Sequence, residues 1–329
     1  MAENARQVVE ITEAGAWDEF VRTATGGTVF STSAWLECAE EAIGAPVRIY
    51  GCYHKGNLVA GVSGSERKRG PFRFFTTPDL CPHGGFLHAP VASESPARRE
   101  SEHSTATKVL AEFLAQRYDS VRLTHAPDII DMRDFAWSGW DVQPRYTYYL
   151  PLGDPEAIWK RVERRVRTVV RKAEKEDCRL RQVEDTELLR RQYELIYAGQ
   201  PGGAPVSSEI VERFVAAAQR KELAQIQLVE SAAGEPASIV AFVRGFDCLH
   251  AWVAGADPAF RDSGATSLLY WKILEQAGGG NFDFVGANIP GIALFKRGFG
   301  GELVPYFAIQ RTNNRLLKAG AAARSLLRR

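Results

Sequence analysis

The sequence lacks the features that mark membrane proteins and disulfide-stabilised proteins. It contains no apolar run near the roughly eighteen residues that a membrane-spanning helix needs, and its first twenty residues are too charged for a secretory signal. The five cysteines are odd in number and form no CxxC pair, which argues against a disulfide framework and against a structural zinc site. These absences predict a cytoplasmic protein with reduced thiols and no integral membrane segment.

Several enzyme motifs are also missing. The chain has no GxGxxG after a strand, no GxxxxGK phosphate loop, no GxSxG and no HExxH. The sequence therefore gives no support for an enzyme that transfers hydride or uses ATP. The net charge is only +1, from 41 Lys plus Arg and 40 Asp plus Glu, so an anionic partner must be attracted by a local patch rather than by the whole surface.

The sequence does contain the same order of elements twice. Residues 47–53 and 58–68 predict one β-hairpin, and residues 224–230 and 237–244 predict another. A further strand, a helix and a last strand follow each hairpin. The last helix and strand are predicted at 95–118 and 120–124 in the first half, and at 265–276 and 282–285 in the second. This repetition in a chain of 329 residues predicts two duplicated domains of mixed α/β class.

The junction between the two halves is predicted near residue 145. A strand-like TYYLPL, residues 147–152, leads there into Asp154 and Pro155. An acidic N-cap followed by proline at the first helical position is a strong helix start. A new domain therefore begins close to this point.

The leading reaction-site candidate is the stretch FDFVGANIPGIALFKRGFGGELVPY, residues 282–306. It predicts a strand that ends in a glycine-rich loop carrying Lys296, with Phe295 and Phe299 flanking Lys296 and Arg297. The alternative for Lys296 is an exposed lysine on a loop. Asp283, within the strand, either caps a neighbouring backbone group or orients the acceptor amine and accepts its proton.

A second candidate is a basic helix. Residues 160–181 contain ten Lys or Arg against four Asp or Glu, and Ile158, Val162, Val169 and Ala173 form an apolar stripe at helical spacing. The cations predicted to meet phosphates are Arg161, Arg164, Arg165, Arg171, Lys172 and Lys175. These side chains are either solvated and paired with nearby glutamates, or they bind a polyanion with salt-sensitive affinity.

The loop before the helix at 265–276 is a further phosphate candidate. GNAT acetyltransferases hold the coenzyme A pyrophosphate at such a helix N-terminus with the pattern [Q/R]xxGx[G/A]. Arg261 and Gly264 match this pattern, whereas Thr266 stands where glycine or alanine is expected. The alternative is an ordinary turn capped by Ser263 or Asp262.

Two other segments favour structural roles. Cys81, His83 and His88 in CPHGGFLH have no obvious fourth ligand, so the segment is predicted to line a cleft and no metal is expected. Residues 311–329 carry six basic and no acidic residues with four leucines, which predicts a basic amphipathic helix packed on a domain surface.

The chain resembles the Fem (FemABX) peptidyltransferases. The resemblance rests on the duplicated hairpins, VRTVVRKAEK at 166–175, AWVAGADPAFRDSGATSLLYW at 251–271 and FKRGFG at 295–300. It implies an α/β fold of two tandem GNAT-like domains with a cleft between them and a C-terminal helix that returns to the first domain. The implied domains are residues 1–145 plus 307–329, and residues 146–306.

The resemblance also implies an activity. Such an enzyme moves an aminoacyl group from aminoacyl-tRNA to the amine of a small-molecule or peptide acceptor, without cofactor, metal or DNA. The family's Phe-Lys pair falls on Phe295 and Lys296, so Lys296 is expected to stabilise the oxyanion or the 3′ end of the tRNA, and Phe295 to shape the pocket. Tyr148, Trp252 and Arg297 are expected to line the acceptor cleft.

Two alternatives stay open at this stage. One is an acyl-coenzyme A-dependent N-acyltransferase that uses the loop at 261–266, and the other is a catalytically inactive double GNAT module that binds RNA or a partner. The segment QYELIYAGQPGGAPVSSEIVERFV, residues 192–215, lacks the cations expected for a sugar diphosphate, and the family's long coiled-coil insertion is absent. A small amine therefore competes with a cell-wall precursor as the acceptor.

Overall fold

A computed structural model describes residues 5–198, 200 and 202–318 of the chain. The chain divides into two compact units. Unit 1 comprises Met1–Arg145 and Pro305–Arg329, and unit 2 comprises Tyr146–Val304. The first division falls at residue 145, where the sequence predicts the junction, and the return lies at residue 305 rather than 307.

Unit 1 contains a sheet and the helices that cover it. Its strands are β1 (Gln7–Glu10), β2 (Val47–His54), β3 (Asn57–Arg69), β4 (Phe72–Thr76), β5 (Gly85–His88) and β6 (Ser120–Thr124). Its helices are α1 (Ala14–Thr23), α2 (Ser33–Ile43), α3 (Pro96–Arg117) and α4 (Arg133–Trp137). Strand β7 (Asp141–Pro151) then takes the chain into unit 2.

Unit 2 has a second sheet with its own helices. The helices are α5 (Pro155–Arg161), α6 (Arg164–Lys175), α7 (Thr186–Tyr197), α8 (Ser208–Arg220), α9 (Ala265–Gln276) and α10 (Pro290–Arg297). The strands are β8 (Arg179–Val183), β9 (Ala224–Glu230), β10 (Pro236–Arg244), β11 (Cys248–Ala256) and β12 (Asn281–Asp283). Strand β13 (Glu302–Thr312) returns the chain to unit 1.

The sheet of unit 1 has the order β1-β2-β3-β4-β6-β13, with β5 paired to β3. Its neighbours are antiparallel except for β4 and β6, which are parallel. Phe75, Val121 and Ile309 are fully buried on one face of this sheet. They share a core with Leu110 and Leu114 of α3. The hydrophobic core of unit 1 therefore lies between α3 and this face.

The sheet of unit 2 has the order β7-β12-β11-β10-β9-β8. Its parallel pair is β11 and β12, which places His250 directly opposite Asp283. On the face that α9 covers, Phe282 is fully buried beside Leu269 and Tyr270. Each unit therefore pairs a mixed sheet with a helix that lies between two strands of the chain, as the duplicated sequence predicts.

Most predicted elements are confirmed, including both hairpins, α3, β6 and α9. The start of α5 is as expected, with Asp154 Oδ1 accepting a hydrogen bond from the Glu156 amide at 3.0 Å and Pro155 in the first turn. Within the described ranges, no helix combines the length and apolar character that crossing a bilayer requires.

Three predictions are wrong at the level of elements. The segment around Lys296 is the helix α10 rather than a glycine-rich loop, because Pro290 starts a helix that continues to Arg297. Residues 307–312, which the resemblance assigns to the returning C-terminal helix, belong to strand β13, and residues 315–318 are helical. The rest of the predicted C-terminal helix, 319–329, lies outside the described residues. The apolar stripe of α6 uses Val166 and Val170 in place of Val169, which is 37% exposed.

Candidate active site

Lys296 lies in the last turn of α10 and is only 8% exposed. Its Nζ donates hydrogen bonds to the carbonyl oxygens of Val285 and Gly286, each at 2.7 Å. The alternative of an exposed lysine on a loop is therefore wrong. Helix α10 directs the ammonium group inward, onto the segment that follows β12.

The acceptors of these hydrogen bonds form a turn with unusual backbone geometry, which we call the 285–286 turn. Val285 has a φ of 51° and Gly286 a φ of 76°. A β-branched residue in the left-handed region is strained by about 1–3 kcal/mol, and such strain concentrates at functional sites. The two left-handed residues allow consecutive carbonyl groups to reach one ammonium group.

Asp283 and Thr147 hold the peptide groups of the 285–286 turn. The carboxylate of Asp283 accepts hydrogen bonds from Thr147 Oγ1 at 2.6 Å and from the Val285 amide at 2.8 Å. Thr147 Oγ1 in turn accepts a hydrogen bond from the Gly286 amide at 3.2 Å. His250 Nδ1 lies 3.1 Å from the second carboxylate oxygen of Asp283. The turn is thus fixed by side chains from β7, β11 and β12.

The charges in this site are set by burial and by these contacts. Burial opposes ionisation of Asp283, which is 2% exposed, but the hydrogen bond and charge of His250 and the hydrogen bonds from Thr147 and Val285 hold its pKa below the ordinary value. Asp283 is therefore an anion. An ionised carboxylate only accepts hydrogen bonds, so the Nδ1–H group of His250 donates the hydrogen bond to Asp283.

The ammonium of Lys296 is less stable than that of a surface lysine. Burial lowers its pKa to about 8, and the negative charge of Asp283 opposes this shift. An ammonium group has three N–H donors, and Val285 and Gly286 take two of them. Among the described residues, the third donor has no acceptor. A fixed donor of this kind is suited to stabilise a developing oxyanion.

Asp283 does not fit a direct role on the acceptor amine. Its two oxygens already accept hydrogen bonds from the three donors described above, and its side chain is buried. We therefore assign it as a positioning residue that holds the 285–286 turn and supports the charge of Lys296.

The aromatic residues expected in the site are mainly core residues. The ring of Phe295 packs against Tyr270 and Phe299, with centroid distances of 5.4 and 5.3 Å. Tyr148 and Trp252 are each 8% exposed; Tyr148 belongs to the main core of unit 2, and the ring of Trp252 meets that of Phe214 edge to face. Their place in an acceptor cleft stays a prediction. A pocket-shaping role of Phe295 stays a prediction.

The end of α10 is fixed to the start of α6. Arg165 donates a hydrogen bond to the Leu294 carbonyl at 2.8 Å, and the Glu163 amide donates to the Gly298 carbonyl at 2.8 Å. A Cβ on Gly298 would lie 2.7 Å from Val166, so this approach requires glycine. Arg297, expected in the acceptor cleft, is an exposed residue whose Nε lies 3.5 Å from Glu163.

The basic face of α6 is exposed, as predicted, but several of its cations already have partners within unit 2. Arg161 pairs with Glu302 at 3.3 Å, and the guanidinium of Arg171 lies 5.7 Å from the ring centroid of Trp159. Lys172 donates to the Asp262 carbonyl at 2.9 Å. Arg164 and Lys175 are exposed and make no ion pair within the described part of the chain. These two cations are the most available to an external anion.

The turn before α9 is packed closely against α6. Gly264 has a φ of 84°, and a Cβ there would lie 2.7 Å from both the side chain and the carbonyl oxygen of Val169. The amide of Ser263 donates to the Phe260 carbonyl at 3.1 Å, and the amide of Ala265 donates to Ser263 Oγ at 3.1 Å. Gly264 is therefore needed for the close approach of α6. Arg261 is exposed at the end of the preceding turn.

The CPHGGFLH segment belongs to the interior of unit 1. The Trp35 indole donates to Cys81 Sγ at 3.1 Å, and His88 Nε2 lies 2.8 Å from Thr107 Oγ1. Burial lowers the pKa of His88 to about 3 and raises that of Cys81 to about 12. In the described ranges, no group of three His, Cys, Asp or Glu side chains is arranged to hold a metal ion.

The sequence motifs did not indicate two residues of the site, Thr147 and His250. Thr147 lies within the strand-like TYYLPL and His250 lies within the apolar β11. Their role depends on strand order, because β7 and β11 flank β12 and so place both side chains beside Asp283. A lone histidine in an otherwise apolar strand was the signal available for His250.

Comparisons with known proteins agree with this architecture. A family model described as an acetyltransferase (GNAT) domain matches residues 160–297. A search of curated protein sequences finds no match to this chain. Among solved structures, FemX is similar with a TM-score of 0.66 and 15% identity, over 92% of this chain and 96% of FemX.

Two further solved structures have the same overall architecture. L-PGS from Bacillus licheniformis is similar with a TM-score of 0.51 and 13% identity, over 87% of this chain and 88% of that one. A tandem GNAT protein from the clavulanic acid biosynthesis pathway is similar with a TM-score of 0.52 and 12% identity, over 94% of this chain and 99% of that one. The chain thus has a Fem-like fold of two tandem GNAT units, the second of which contains the match to the GNAT acetyltransferase domain.

Proposed function

We propose that the protein is an aminoacyltransferase that moves an aminoacyl group from aminoacyl-tRNA to the amine of a small-molecule or peptide acceptor. The observation that carries this proposal is the buried ammonium of Lys296, held by the 285–286 turn with one N–H left over. The family match and the Fem-like fold support acyl transfer as the reaction class.

The reaction needs charge stabilisation more than it needs bond activation. The amine nitrogen attacks the ester carbonyl carbon, an oxyanion forms, and the C–O bond to the tRNA ribose then breaks. The proton released by the attacking amine leaves with the ribose oxygen. The third N–H of Lys296 is suited to the oxyanion, because a donor fixed before the reaction costs no reorganisation when charge develops.

The start of α9 favours tRNA over coenzyme A as the donor. A pyrophosphate at a helix N-terminus is held by free backbone amides. Here the amides of Ser263 and Ala265 are already hydrogen-bonded, and Val169 packs directly on Gly264. The same turn that matches the acetyltransferase pattern in sequence is therefore used to dock α6.

The exposed face of α6 supports an RNA donor. Arg164 and Lys175 lie on a helix whose other face is buried through Val166, Val170 and Ala173. Since the whole chain carries a net charge of only +1, this concentration of cations gives the surface a local positive potential. Phosphodiesters are the polyanions that such a face attracts most generally.

The donor is tested by a gel shift with charged total tRNA over a salt series, with and without excess coenzyme A. We expect tRNA binding that weakens steeply with salt and that coenzyme A does not displace. The variant Arg164→Gln/Lys175→Gln is expected to bind more weakly and with a smaller salt slope. Arg179→Gln, which removes an exposed cation from β8, is the control.

Two results would contradict the proposal. Displacement of tRNA by coenzyme A would assign the donor site to an acyl-coenzyme A-dependent N-acyltransferase. Absence of any gel shift with charged tRNA at low salt would exclude aminoacyl-tRNA as the donor.

A further inference from the structure

Unit 1 contains a basic cavity that shares no lining residue with the Lys296 site. It has a volume of about 250 Å³ and is lined by alternate residues of β3, β4, β6 and β13. Arg67, Arg69 and Arg122 contribute guanidinium groups to it, and Thr76 and Ser120 contribute hydroxyl groups. Neither the sequence motifs nor the proposed reaction accounts for this cluster.

The cavity occupies the sheet face opposite the core of unit 1. Successive residues of a strand point to opposite faces, so Phe75 and Val121 enter the core while Thr76 and Arg122 face the cavity. Thr76 and Arg122 are direct neighbours in the register of β4 and β6. Since the backbone of these strands is fixed by the ladder, the cationic face is presented by a rigid element.

The charges of the cavity are unbalanced. Asp79 is its one carboxylate, and it pairs with Arg67 at 2.6 Å. Arg69 and Arg122 are exposed and form no ion pair among the described residues. Three guanidinium groups against one carboxylate give a net charge of +2 on this face.

The chemistry of the lining selects the ligand class. Guanidinium groups bind the oxygens of phosphate in bidentate geometry, and serine and threonine hydroxyls add further donors. A cavity of about 250 Å³ has room for such a group. We propose that this cavity is a binding site for a phosphate group.

The proposal rests on residues of unit 1 alone and goes beyond the proposed transfer reaction. The phosphate could belong to an RNA backbone or to a phosphorylated small molecule, and both present the same oxygens to the arginines. Failure of aminoacyl transfer would leave this site untouched, because none of its residues belongs to the Lys296 site.

The test uses the full chain and the double variant Arg69→Gln/Arg122→Gln. The matched control is Arg98→Gln/Arg145→Gln, which removes two exposed arginines from unit 1 outside the cavity. The first arm is a calorimetric titration with sodium pyrophosphate at low ionic strength. We expect saturable binding that weakens about tenfold or more in the cavity variant and stays unchanged in the control.

The second arm repeats the tRNA gel shift over a salt series with the same variants. Loss of two phosphate contacts reduces the log–log salt slope by roughly 1.4–1.8. A reduced slope in the cavity variant alone identifies an RNA phosphate as the ligand. Pyrophosphate binding that depends on the cavity, with an unchanged tRNA slope, identifies a phosphorylated small molecule. Equal behaviour of the cavity variant and the control in both arms would overturn the proposal.

Discussion

At the scale of single residues, the site depends on the balance between burial and one negative charge. Lys296 is 8% exposed, and burial alone disfavours its ammonium form. The ionised Asp283 offsets part of this penalty, and it also fixes the turn that supplies the acceptors. The protonation state of the lysine therefore depends on burial first and on the charge of Asp283 second.

We expect Lys296 to lose its proton near pH 8, well below ordinary lysines. The proposed reaction needs the charged form, so transfer should fall as the pH rises through about 8. Side-chain NMR of isotopically labelled lysine measures this titration without any substrate, and Lys296→Met identifies the signal. Titration of Lys296 near pH 10.5 would contradict the assignment.

Asp283→Asn should shift that titration further. The substitution removes the negative charge that raises the pKa of Lys296, so the pKa should fall below about 8 and the alkaline loss of activity should move to lower pH. The NMR titration of the variant measures the shift. Thr105→Val, which removes one exposed hydrogen bond of α3, serves as the control and should leave the titration unchanged.

Lys296→Met should abolish transfer while tRNA binding is retained. The substitution removes the donor for the oxyanion, and a methionine side chain can occupy the same space as the lysine stem. The rate at which labelled amino acid leaves charged tRNA in the presence of glycinamide measures transfer. Circular dichroism checks the fold. Transfer at the wild-type rate would refute a role for Lys296.

The sequence could point to Lys296 but not to its surroundings. Aromatic and glycine neighbours, together with the Fem resemblance, marked the lysine and Asp283. Thr147 could not be found in this way, because it lies 136 positions from Asp283 and reaches it only through the pairing of β7 with β12. Aromatic residues such as Tyr148 and Trp252 suit both a pocket wall and a core, and the sequence could not show that both rings pack against buried neighbours.

At the scale of elements, helices α6 and α9 determine what the site can bind. They approach so closely that Gly264 has no room for a Cβ, and the loop at the start of α9 is shaped by this contact. The sequence pattern alone could not separate a glycine needed for pyrophosphate from one needed for a neighbouring helix. The glycines of FKRGFG favour a loop in the sequence, but they follow α10 rather than interrupt it.

Gly264→Ala should destabilise unit 2 more than Gly234→Ala. Both glycines have positive φ, but only the Cβ at 264 would meet Val169, whereas a Cβ at 234 meets nothing within 4 Å. We expect an additional cost of about 2 kcal/mol. This corresponds to a melting temperature lower by roughly 4–8 °C than that of the control. Thermal unfolding followed by circular dichroism measures the difference; equal melting temperatures would refute the close packing.

At the scale of the whole molecule, the second unit is inserted between two parts of the first. Strand β13 completes the sheet of unit 1 by pairing with β6 from Ala308 to Thr312. The side chain of Asn313 then donates to the carbonyls of Ala115 and Tyr118. The sequence predicted this return from resemblance, but it assigned a helix to a segment whose alternating pattern forms a strand.

A chain that ends at Val304 should therefore lose the stability of unit 1. Removing β13 leaves β6 as an open edge and uncovers the core around Ile309, which is fully buried in the intact chain. Limited proteolysis should then cut within residues 5–145 far faster than in the intact protein. A chain ending at Lys318, which keeps every contact named here, is the control; equal resistance of both chains would contradict the role of β13.

The hydrogen bonds of Lys296 to the 285–286 turn affect whether the donor ester can acylate this lysine. An aminoacyl ester is an acylating reagent, and in the proposed reaction it meets an amine of the protein whose pKa is about 8. A neutral lysine there would compete with the acceptor amine as the nucleophile. Its acylation would leave an unproductive amide on the enzyme. Below its pKa of about 8 the nitrogen is protonated and donates to two carbonyl groups, so its lone pair is withheld from the ester while its charge remains available to the oxyanion.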